Sequence, residues 1–557
     1  MKINLLKNFF FTVGIPIVLL IIALIFVNPF FEASIFDEFS YYFLAVSFYE
    51  KGIIEYNRWG AMPMIFQCVW AFPFLKFLGV SFKTLKIANL FFCFGSIVLI
   101  YLVSCEYGLF SRYRTALVSW VVSVPYFCLL SWSFMTDLPA LFFYTLCLYI
   151  SLKIISTDRI ISTDRNFVIS MAWVFIFGVI GGSIRQSLWL PQIFTFLFFA
   201  WKNKHIPSRL FCTVLLLFLT LISFLMIHKW FYGQPQADAN FTSIDLYGFK
   251  SKLKLGLFSI YEILLSLSLF LFPFIAMFNF NRISTLKASS YIKPILITIV
   301  LLAISKHWSF WPYQMDFRFP FLKPECSFFE ICHPDGAIPN FEIKFIVNII
   351  CIINMSVFIS VISFKSLVSH ILKRDDLFLF ALLVIANLIG IFIRKVFFRA
   401  PAFDRYFLPC LFVIAIPMIQ KISEHRKQYV NIFIFWGIVF NLCCLCSDRY
   451  FFARYRARIE TVQEISKHYK REEILSGMDL DGFYQIEKNH VIGNREMKIG
   501  MKYEWVVNLS MFNPKILISI DRKPYRGFYL VREIVFDSGF PLGKGALYVY
   551  AEIESKF

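Results

Sequence analysis

Two adjacent carboxylates, Asp37 and Glu38, follow the first long apolar run of the chain, in the segment "ASIFDEFSYYFLAVSFYEKG". Where a chain leaves a bilayer, Trp, Tyr, Lys and Arg are the usual residues, and paired acids have no anchoring use. A carboxylate placed there can accept the proton of a reacting hydroxyl. The simplest alternative is a solvated loop that contains acids, and the rest of the chain has to decide between the two.

A third acid, Asp137, stands at the start of a later apolar run, in "SWSFMTDLPALFFYTL". Thr136 precedes it and is a suitable helix cap. An acid in the first turn of a helix also interacts favourably with the helix dipole. Asp137 is therefore a candidate site residue with an equally good structural explanation.

Basic residues are expected on the same side of the membrane as these acids. The stretch "GGSIRQSLWLPQ" places Arg185 and Gln186 between two helix ends. A second stretch, "FIRKVFFRAPAFDRYFLPC", contributes a cluster of charged residues: Arg394, Lys395, Arg399, Asp404 and Arg405. Arginine suits bidentate binding of phosphate, and charges at membrane depth are functional candidates. The alternative is that these arginines only reach towards lipid headgroups.

The composition predicts the elements that must position these residues. The chain has 557 residues, of which 59% are hydrophobic and 16% charged, whereas a soluble domain has roughly 25% charged residues. The mean hydropathy is +0.67. These values indicate a polytopic membrane protein. The net charge of +19 is explained by cytoplasmic loops, and no basic helix or base-stacking sheet indicates a nucleic-acid partner.

A membrane span needs about 20 apolar residues. The first apolar run is too long for a signal peptide and lacks a cleavage site, so it is interpreted as an uncleaved anchor. The sequence predicts about thirteen spans, near residues 9–30, 85–104, 115–133, 137–154, 167–183, 187–201, 210–229, 257–278, 290–305, 343–364, 376–394, 406–420 and 429–447.

The loops predict the orientation. With a cytoplasmic N-terminus, every cytoplasmic segment carries two or three basic residues, as the positive-inside rule expects. An odd number of spans then places the segments 31–84, 230–256, 306–342 and 448–557 outside. The apolar stretch bounded by Pro63 and Pro73 is interpreted as helices that lie along the interface. If that stretch spanned the membrane instead, every later orientation would invert.

The tail changes composition. Strand-like runs such as "PKILISI", "RGFYLVREIVF" and "ALYVYAEI" are separated by turn residues. We therefore expect an all-α transmembrane domain at 1–447, which includes the outer loop 31–84, and a small extracytoplasmic α+β domain at 448–557. Cys326 and Cys332 lie in a polar loop that is predicted to be outside. They are as well explained by a disulfide as by free thiols.

The order of these elements resembles the GT-C superfamily of glycosyltransferases. The resemblance is to bacterial family 39, the protein mannosyltransferase and aminoarabinose transferase group. It covers most of residues 1–420 and is carried by five stretches in sequence order: "FDEFSYYFLA", "KGIIEYNRWGAMPM", "TDLPALFF", "SIRQSLWLP" and "DRYFLPCL". The "SIRQSLWLP" stretch also resembles a segment of eukaryotic dolichol-linked glucosyltransferases of that superfamily.

This resemblance implies roles for individual residues. Asp37 would be the base or would position the acceptor, with Glu38 beside it, and Asp137 would organise the site or a divalent ion. Arg185 or Arg405, with Arg399 nearby, would bind the carrier phosphate. Two acids and a phosphate are suitable ligands for Mg²⁺ or Mn²⁺. The five stretches listed above contain no D-x-D motif of the kind found in nucleotide-sugar enzymes. The sequence defines no fixed set of metal ligands.

The sequence therefore predicts a multi-pass inner-membrane glycosyltransferase. It would move a hexosyl or pentosyl group from a polyprenyl-phosphate carrier to a hydroxyl on a lipid, glycan or protein at the extracytoplasmic face. The alternative is a polytopic transporter or lipid flippase that uses the same charges as a relay. Transporters usually show two related halves, and the predicted spans show no internal repeat.

Overall fold

The structure is a computed structural model. It describes residues 2–35, 37–57, 62–158, 164–235, 237, 267–268, 271, 274–275, 294–299, 349, 352–359, 364–398, 408–425, 429–488, 514–519, 522, 525, 527–539 and 543–553. Cys326 and Cys332 lie outside the described residues, as do most of the predicted spans near 257–278, 290–305 and 343–364.

Long helices dominate the described part of the chain. Ten precede the first long gap: α1 (Lys2–Val27), α2 (Glu38–Lys51), α3 (Ile65–Leu78), α4 (Phe82–Glu106), α5 (Ser111–Ser123), α6 (Pro125–Ser131), α7 (Asp137–Asp158), α8 (Asp164–Ile184), α9 (Trp189–Lys202) and α10 (Pro207–Tyr232). Five follow it: α11 (Phe364–Lys373), α12 (Asp375–Phe398), α13 (Leu408–His425), α14 (Tyr429–Ile465) and α15 (Met478–Glu487). Short 3₁₀ turns cover Gln186–Leu188 and Arg471–Glu473.

Five of the described helices are long and apolar enough to cross a membrane: α4, α7, α8, α10 and the Asp375–Ile393 part of α12. The prediction of a polytopic helical membrane protein is therefore confirmed, while the total of thirteen spans stays a prediction. Helix α7 has 22 residues and is about 33 Å long at 1.5 Å per residue, close to the roughly 30 Å of a bilayer core.

Two predicted spans have a different form. The span near 115–133 is wrong as a single helix, because α5 ends at Ser123 and α6 begins at Pro125. Proline has no N–H to donate and disfavours a helical residue before it, and Val124 is accordingly extended. The span near 187–201 corresponds to α9, which has only 14 residues.

The C-terminal part contains a four-stranded sheet. The strands are β1 (Ile474–Leu475), β2 (Ile516–Ser519), β3 (Phe528–Gly539) and β4 (Gly543–Glu552). Their order is β1-β2-β4-β3, with β1 parallel to β2 and the other pairs antiparallel. The three predicted strand runs correspond to β2, β3 and β4, so the prediction of a small α+β region is confirmed.

Helix α14 joins the sheet to the bundle without interruption. Phe452 and Tyr455 belong to the main apolar core of the bundle, while Tyr450 packs with Phe536 of the sheet. The predicted boundary between residues 447 and 448 therefore falls inside a helix of 37 residues.

The C-terminal part also contacts α2. A Cβ atom on Gly482 of α15 would lie 2.9 Å from the ring of Phe39, and Phe483 stacks on Phe43 with ring centroids 5.0 Å apart. The C-terminal part thus lies at the end of the bundle where α2 begins, beside the Asp37–Glu38 pair.

Candidate active site

A buried ion pair joins the start of α7 to the residue after α8. The Arg185 Nη1 atom lies 2.6 Å from Asp137 Oδ1 and donates to the Thr136 hydroxyl at 3.0 Å. Both charged side chains are at least nine-tenths buried. The N-terminus of a helix favours an anion and the C-terminus a cation, so both helix dipoles support this pair.

Two glycines allow the chain to double back beside Arg185. A Cβ atom on Gly182 would lie 2.3 Å from the Trp189 ring, and one on Gly181 would lie 2.8 Å from Leu188. At Gly182 a Cβ atom would force the bulky Trp189 ring to move, whereas at Gly181 it would require the end of the Leu188 side chain to shift. Arg185 is extended and leads directly into the 3₁₀ turn, so the close packing of α8 on α9 sets its position.

The ion pair lies in the wall of an open cavity, where the atom-free space of about 680 Å³ includes open solvent. Its polar lining consists of Asp137, Arg185, Gln186, Ser187 and Asn387. The remaining lining residues are apolar or small: Met62, Ala140, Leu188, Gly390, Ile391, Leu408 and Pro409.

Glu38, the second acid of the predicted pair, is completely buried. Its Oε1 accepts the Phe134 N–H at 2.8 Å and its Oε2 accepts the Ile35 N–H at 2.9 Å. Burial raises the pKa of this carboxyl, while Lys86 and the two N–H groups act against the rise. These contacts favour a positioning role, and direct participation of Glu38 in the reaction stays a prediction.

Lys86 of α4 is the cation beside Glu38, and it too is completely buried. Its Nζ lies 3.9 Å from Glu38 Oε2 and donates to the carbonyls of Pro29 and Ala33 at 3.3 and 3.2 Å. It also lies 4.3 Å from the centroid of the Phe31 ring. Lys86 therefore ties the turn before Asp37 to α4.

The segment that leads into Asp137 is buried although residues 134–136 are not helical. Its backbone groups bond to side chains of three different helices. Besides the bond to Glu38, the Gln67 amide donates to the Phe134 carbonyl at 3.3 Å, and the Asn89 amide donates to the Ser133 carbonyl at 2.5 Å. Because buried backbone groups need partners, these side chains define the path of the chain into Asp137.

Asp37 precedes α2 and is partly exposed. Its neighbour Glu38 is bonded to Phe134, which lies three residues before Asp137. The two acidic stretches of the prediction are thus tied to each other through one buried hydrogen bond. The arginine cluster is described less completely, because Arg399 and Arg405 lie outside the described residues. The helices on either side, α12 and α13, both contribute lining to the cavity.

No group of three or more His, Cys, Asp or Glu side chains comes together within the described ranges. Asp137 is moreover engaged with Arg185. The described residues alone therefore do not form a cation cage, and the predicted Mg²⁺ or Mn²⁺ site at Asp37 and Asp137 stays a prediction.

Sequence reasoning missed four polar residues of this region: Gln67, Lys86, Asn89 and Asn387. Lys86 lies at the beginning of an apolar run, where a lone lysine is readily interpreted as an interfacial anchor. The cost of placing a charge within an apolar helix was the available signal. For the three amides no sequence signal distinguishes a buried side chain from one that faces a neighbouring loop.

Comparison with known proteins gives matches at the level of structure only. No protein-family model matches the chain, and no curated protein matches it. A structure of ArnT from Cupriavidus metallidurans bound to undecaprenyl phosphate matches with a TM-score of 0.41 and 10% identity, over 98% of each chain. The apo structure of the same protein matches with a TM-score of 0.40 and 11% identity, over 97% of this chain and 98% of that one.

Proposed function

We propose that the protein is an integral membrane glycosyltransferase. It takes a sugar from a polyprenyl-phosphate carrier and transfers it to a hydroxyl on a lipid, glycan or protein acceptor. The observation that carries the proposal is the buried Asp137–Arg185 pair in the wall of an open cavity. The cavity and the start of α2 lie at the same end of the bundle, because Glu38 accepts a hydrogen bond from the Phe134 N–H just before Asp137.

The reaction assigns one event to each charged group. The acceptor oxygen attacks the anomeric carbon of the donor, and the bond from that carbon to the phosphate oxygen breaks. Asp37 takes the proton of the acceptor hydroxyl as the general base. The electron pair of the broken bond stays on the phosphate, so the carrier leaves as polyprenyl phosphate with an additional negative charge.

Arg185 interacts with that developing charge, because a guanidinium is matched to phosphate in shape and charge. Asp137 holds Arg185 against the cavity wall and is a positioning residue in this scheme. Arg399 and Arg405 follow α12 and precede α13 in the sequence, and both helices contribute lining to the cavity. We propose that these two arginines also bind the carrier phosphate. No step requires a metal ion, and a bound divalent cation would add further neutralisation of the phosphate.

The cavity end is proposed to face the extracytoplasmic side of the inner membrane. The N-terminus of α1 and the basic loops Arg112–Arg114 and Lys202–Arg209 belong to the opposite end of the bundle. The positive-inside rule places that end in the cytoplasm. The C-terminal sheet then lies outside, where it is suited to meet the acceptor.

The test is to profile the glycolipids and glycans of a strain that lacks the protein by mass spectrometry. The strain is complemented with the wild type, with Asp37→Asn or with Asp375→Asn. Asp375 is a matched control, since it begins α12 at the opposite end of the bundle and pairs with Lys202 at 3.0 Å.

We expect one sugar to disappear on deletion and to return with the wild type and with Asp375→Asn, but not with Asp37→Asn. Full restoration by Asp37→Asn at normal protein levels would remove Asp37 from the mechanism. A deletion strain with unchanged sugars, together with net lipid transport by the purified protein, would favour a flippase.

A further inference from the structure

The stretch "KGIIEYNRWGAMPM" returns along α2 to the first turn of that helix. Gly52 follows the last residue of α2 and adopts a left-handed conformation with a φ of 72°, so the chain reverses there. The Ser47 hydroxyl then accepts the Glu55 N–H at 3.0 Å. Two residues later, Asn57 bonds to Ser40 in the first turn of α2. The returning segment is therefore bound to α2 at two points.

Asn57 and Ser40 exchange two hydrogen bonds in the protein interior. The Ser40 hydroxyl donates to Asn57 Oδ1 at 2.8 Å, and Asn57 Nδ2 donates to the Ser40 carbonyl at 3.2 Å. Both residues are buried, and a buried polar group that loses its partner is destabilising. Because one bond holds the side chain of Ser40 and the other its backbone, the pair fixes both the position and the rotation of the first turn.

The segment that contains Asn57 also contributes to the wall of the cavity. The hydroxyl of Tyr56, a buried residue, donates to the Pro63 carbonyl at 2.6 Å. Met62, which precedes Pro63, is one of the lining residues. Asn57 therefore connects the first turn of α2 to the cavity wall in which Arg185 lies.

Asp37 occupies the N-cap position of α2 but does not cap the helix. An Asp at that position ordinarily accepts an N–H of the first turn. That turn is fully described, and the Asp37 side chain makes no capping bond within it. The turn is instead anchored to other parts of the protein by the side chains of Glu38 and Ser40. The residues that follow Asp37 thus hold the start of α2, and the Asp37 carboxylate is not used for that purpose.

We infer that Asn57 is a positioning residue for the reaction, which holds the first turn of α2 so that the Asp37 carboxylate meets the acceptor hydroxyl. This inference rests on the proposed function. A general base acts within roughly 2.6–3.2 Å of the oxygen whose proton it takes. A misplacement of about 1 Å lowers a rate by about 100-fold. Asn57 does not contact the substrate in this scheme and acts only through the position of Asp37.

The test uses the purified full-length protein in lipid vesicles. Donor lipids and acceptor membranes are extracted from the deletion strain, and mass spectrometry measures the sugar transferred. Synthetic polyprenyl phosphate without a sugar is the probe of carrier binding. Asn57→Ala should lower kcat by about 10- to 100-fold, while KM for the donor extract and the affinity for polyprenyl phosphate change by less than about twofold.

Two further variants separate positioning from a general loss of folding. Ser40→Ala removes one hydroxyl and leaves the Asn57 bond to the Ser40 carbonyl, so it should lower kcat less than Asn57→Ala does. The double variant should resemble Asn57→Ala alone, because the two side chains act as one unit. Ser47→Ala is the matched control and should leave kcat within about twofold, since Ser47 holds the same segment about two helical turns away from Ser40. If Asn57→Ala yields no monodisperse protein, the decision rests on Ser40→Ala, and an unchanged kcat there contradicts the inference.

An Asp37→Asn background shows whether Asn57 acts through the base. Loss of a general base lowers a rate by about 100- to 10,000-fold and leaves a residual rate. Asn57→Ala should lower that residual rate by less than about twofold, because its effect passes through Asp37. An additional loss as large as that in the wild-type background would show that Asn57 acts independently of Asp37 and would overturn the inference.

The outcomes separate the inference from the proposed function. If the wild type transfers sugar and Asn57→Ala keeps its kcat, or loses as much as Ser47→Ala, the inference is overturned and the glycosyltransferase stands. A higher KM for the donor at unchanged kcat would assign Asn57 to donor binding and overturns the inference as well. A wild-type protein that transfers no sugar overturns both.

Discussion

The two ends of helix α7 carry the same types of residue in opposite arrangements. At the Asp158 end, the carboxylate lies 3.2 Å from Arg209 and 4.0 Å from Lys202. Arg209 has a second partner in Asp164 at 2.8 Å, and Lys202 has one in Asp375 at 3.0 Å. Each cation therefore contacts two acids, and the charges of this end form a network that joins five helices: α7, α8, α9, α10 and α12.

At the Asp137 end, one acid meets one arginine, and that pair faces a cavity lined by neutral amides. The comparison shows how a structural charge cluster differs from a candidate site. At the Asp158 end, each charged group has ionic partners from other helices. At the Asp137 end, the charged pair lies in the wall of a cavity, where a ligand would contact it. Residue type alone does not separate the two ends, because both use Asp and Arg.

The largest expected difference between the two ends of α7 appears when the arginine of each end is replaced in turn. Arg185→Ala should lower the rate of sugar transfer by about 100- to 1,000-fold, the usual result of deleting a preorganised group that stabilises developing charge. Arg209→Ala should leave the transfer rate of the folded fraction within about twofold, because distant sites act independently. Transfer assays on equal amounts of monodisperse protein compare the two. Equal losses in both variants would abolish the distinction between the ends.

The next effect concerns the buried pair behind the cavity end. Lys86→Met or Glu38→Gln alone should destabilise the protein by about 3–5 kcal/mol, since each leaves one completely buried charge without its ionic partner. The double variant should be more stable than either single variant, because no isolated charge remains. Thermal denaturation of the purified proteins in one detergent measures the order. A double variant with the summed loss of the single ones would show that the pair is not coupled.

The smallest effect on stability is expected at the Asp158 end of α7. Asp158→Asn should cost about 1–3 kcal/mol, because the mostly buried Asp158 loses its charge while Arg209 keeps Asp164 and Lys202 keeps Asp375. The transfer rate should not change. Thermal denaturation and a transfer assay on the same preparation check both statements. A loss of activity without a loss of stability would show that this end also contributes to the reaction.

Much of the fold could be predicted from the length of the apolar runs. The runs near 85–104, 137–154 and 167–183 correspond to α4, α7 and α8, because a helix is the form in which such a run satisfies its own backbone. The break at Val124 was missed, since one proline within an apolar stretch is compatible with either a kink or a new helix. Hydropathy falls near residue 447 and predicts the end of the membrane part there, whereas helix α14 continues to Ile465.

The candidate site could be predicted in part. A charged side chain near the bilayer has a high free-energy cost, and this cost points to Asp137 and Arg185 as candidate site residues. The structure brings these two side chains together. Glu38 was also identified, but its burial depends on Lys86 and on the backbone of Phe134, which lies 96 residues away in the sequence. A contact of that kind has no local pattern. The same holds for Asn387, which reaches the cavity from α12.

Helix α14 has a consequence for how the molecule comes apart. One stretch of it lies in the core of the bundle through Phe452 and Tyr455, and neighbouring residues, Tyr450 and Ala453, support the sheet. Unwinding this helix would remove packing from both sides at once, so neither side can melt while the other keeps its native contacts. The chain should therefore lose its structure in a single cooperative transition. A fragment that ends at residue 447 would lack Phe452 and Tyr455, which pack in the core of the bundle, and its truncation would leave a gap there.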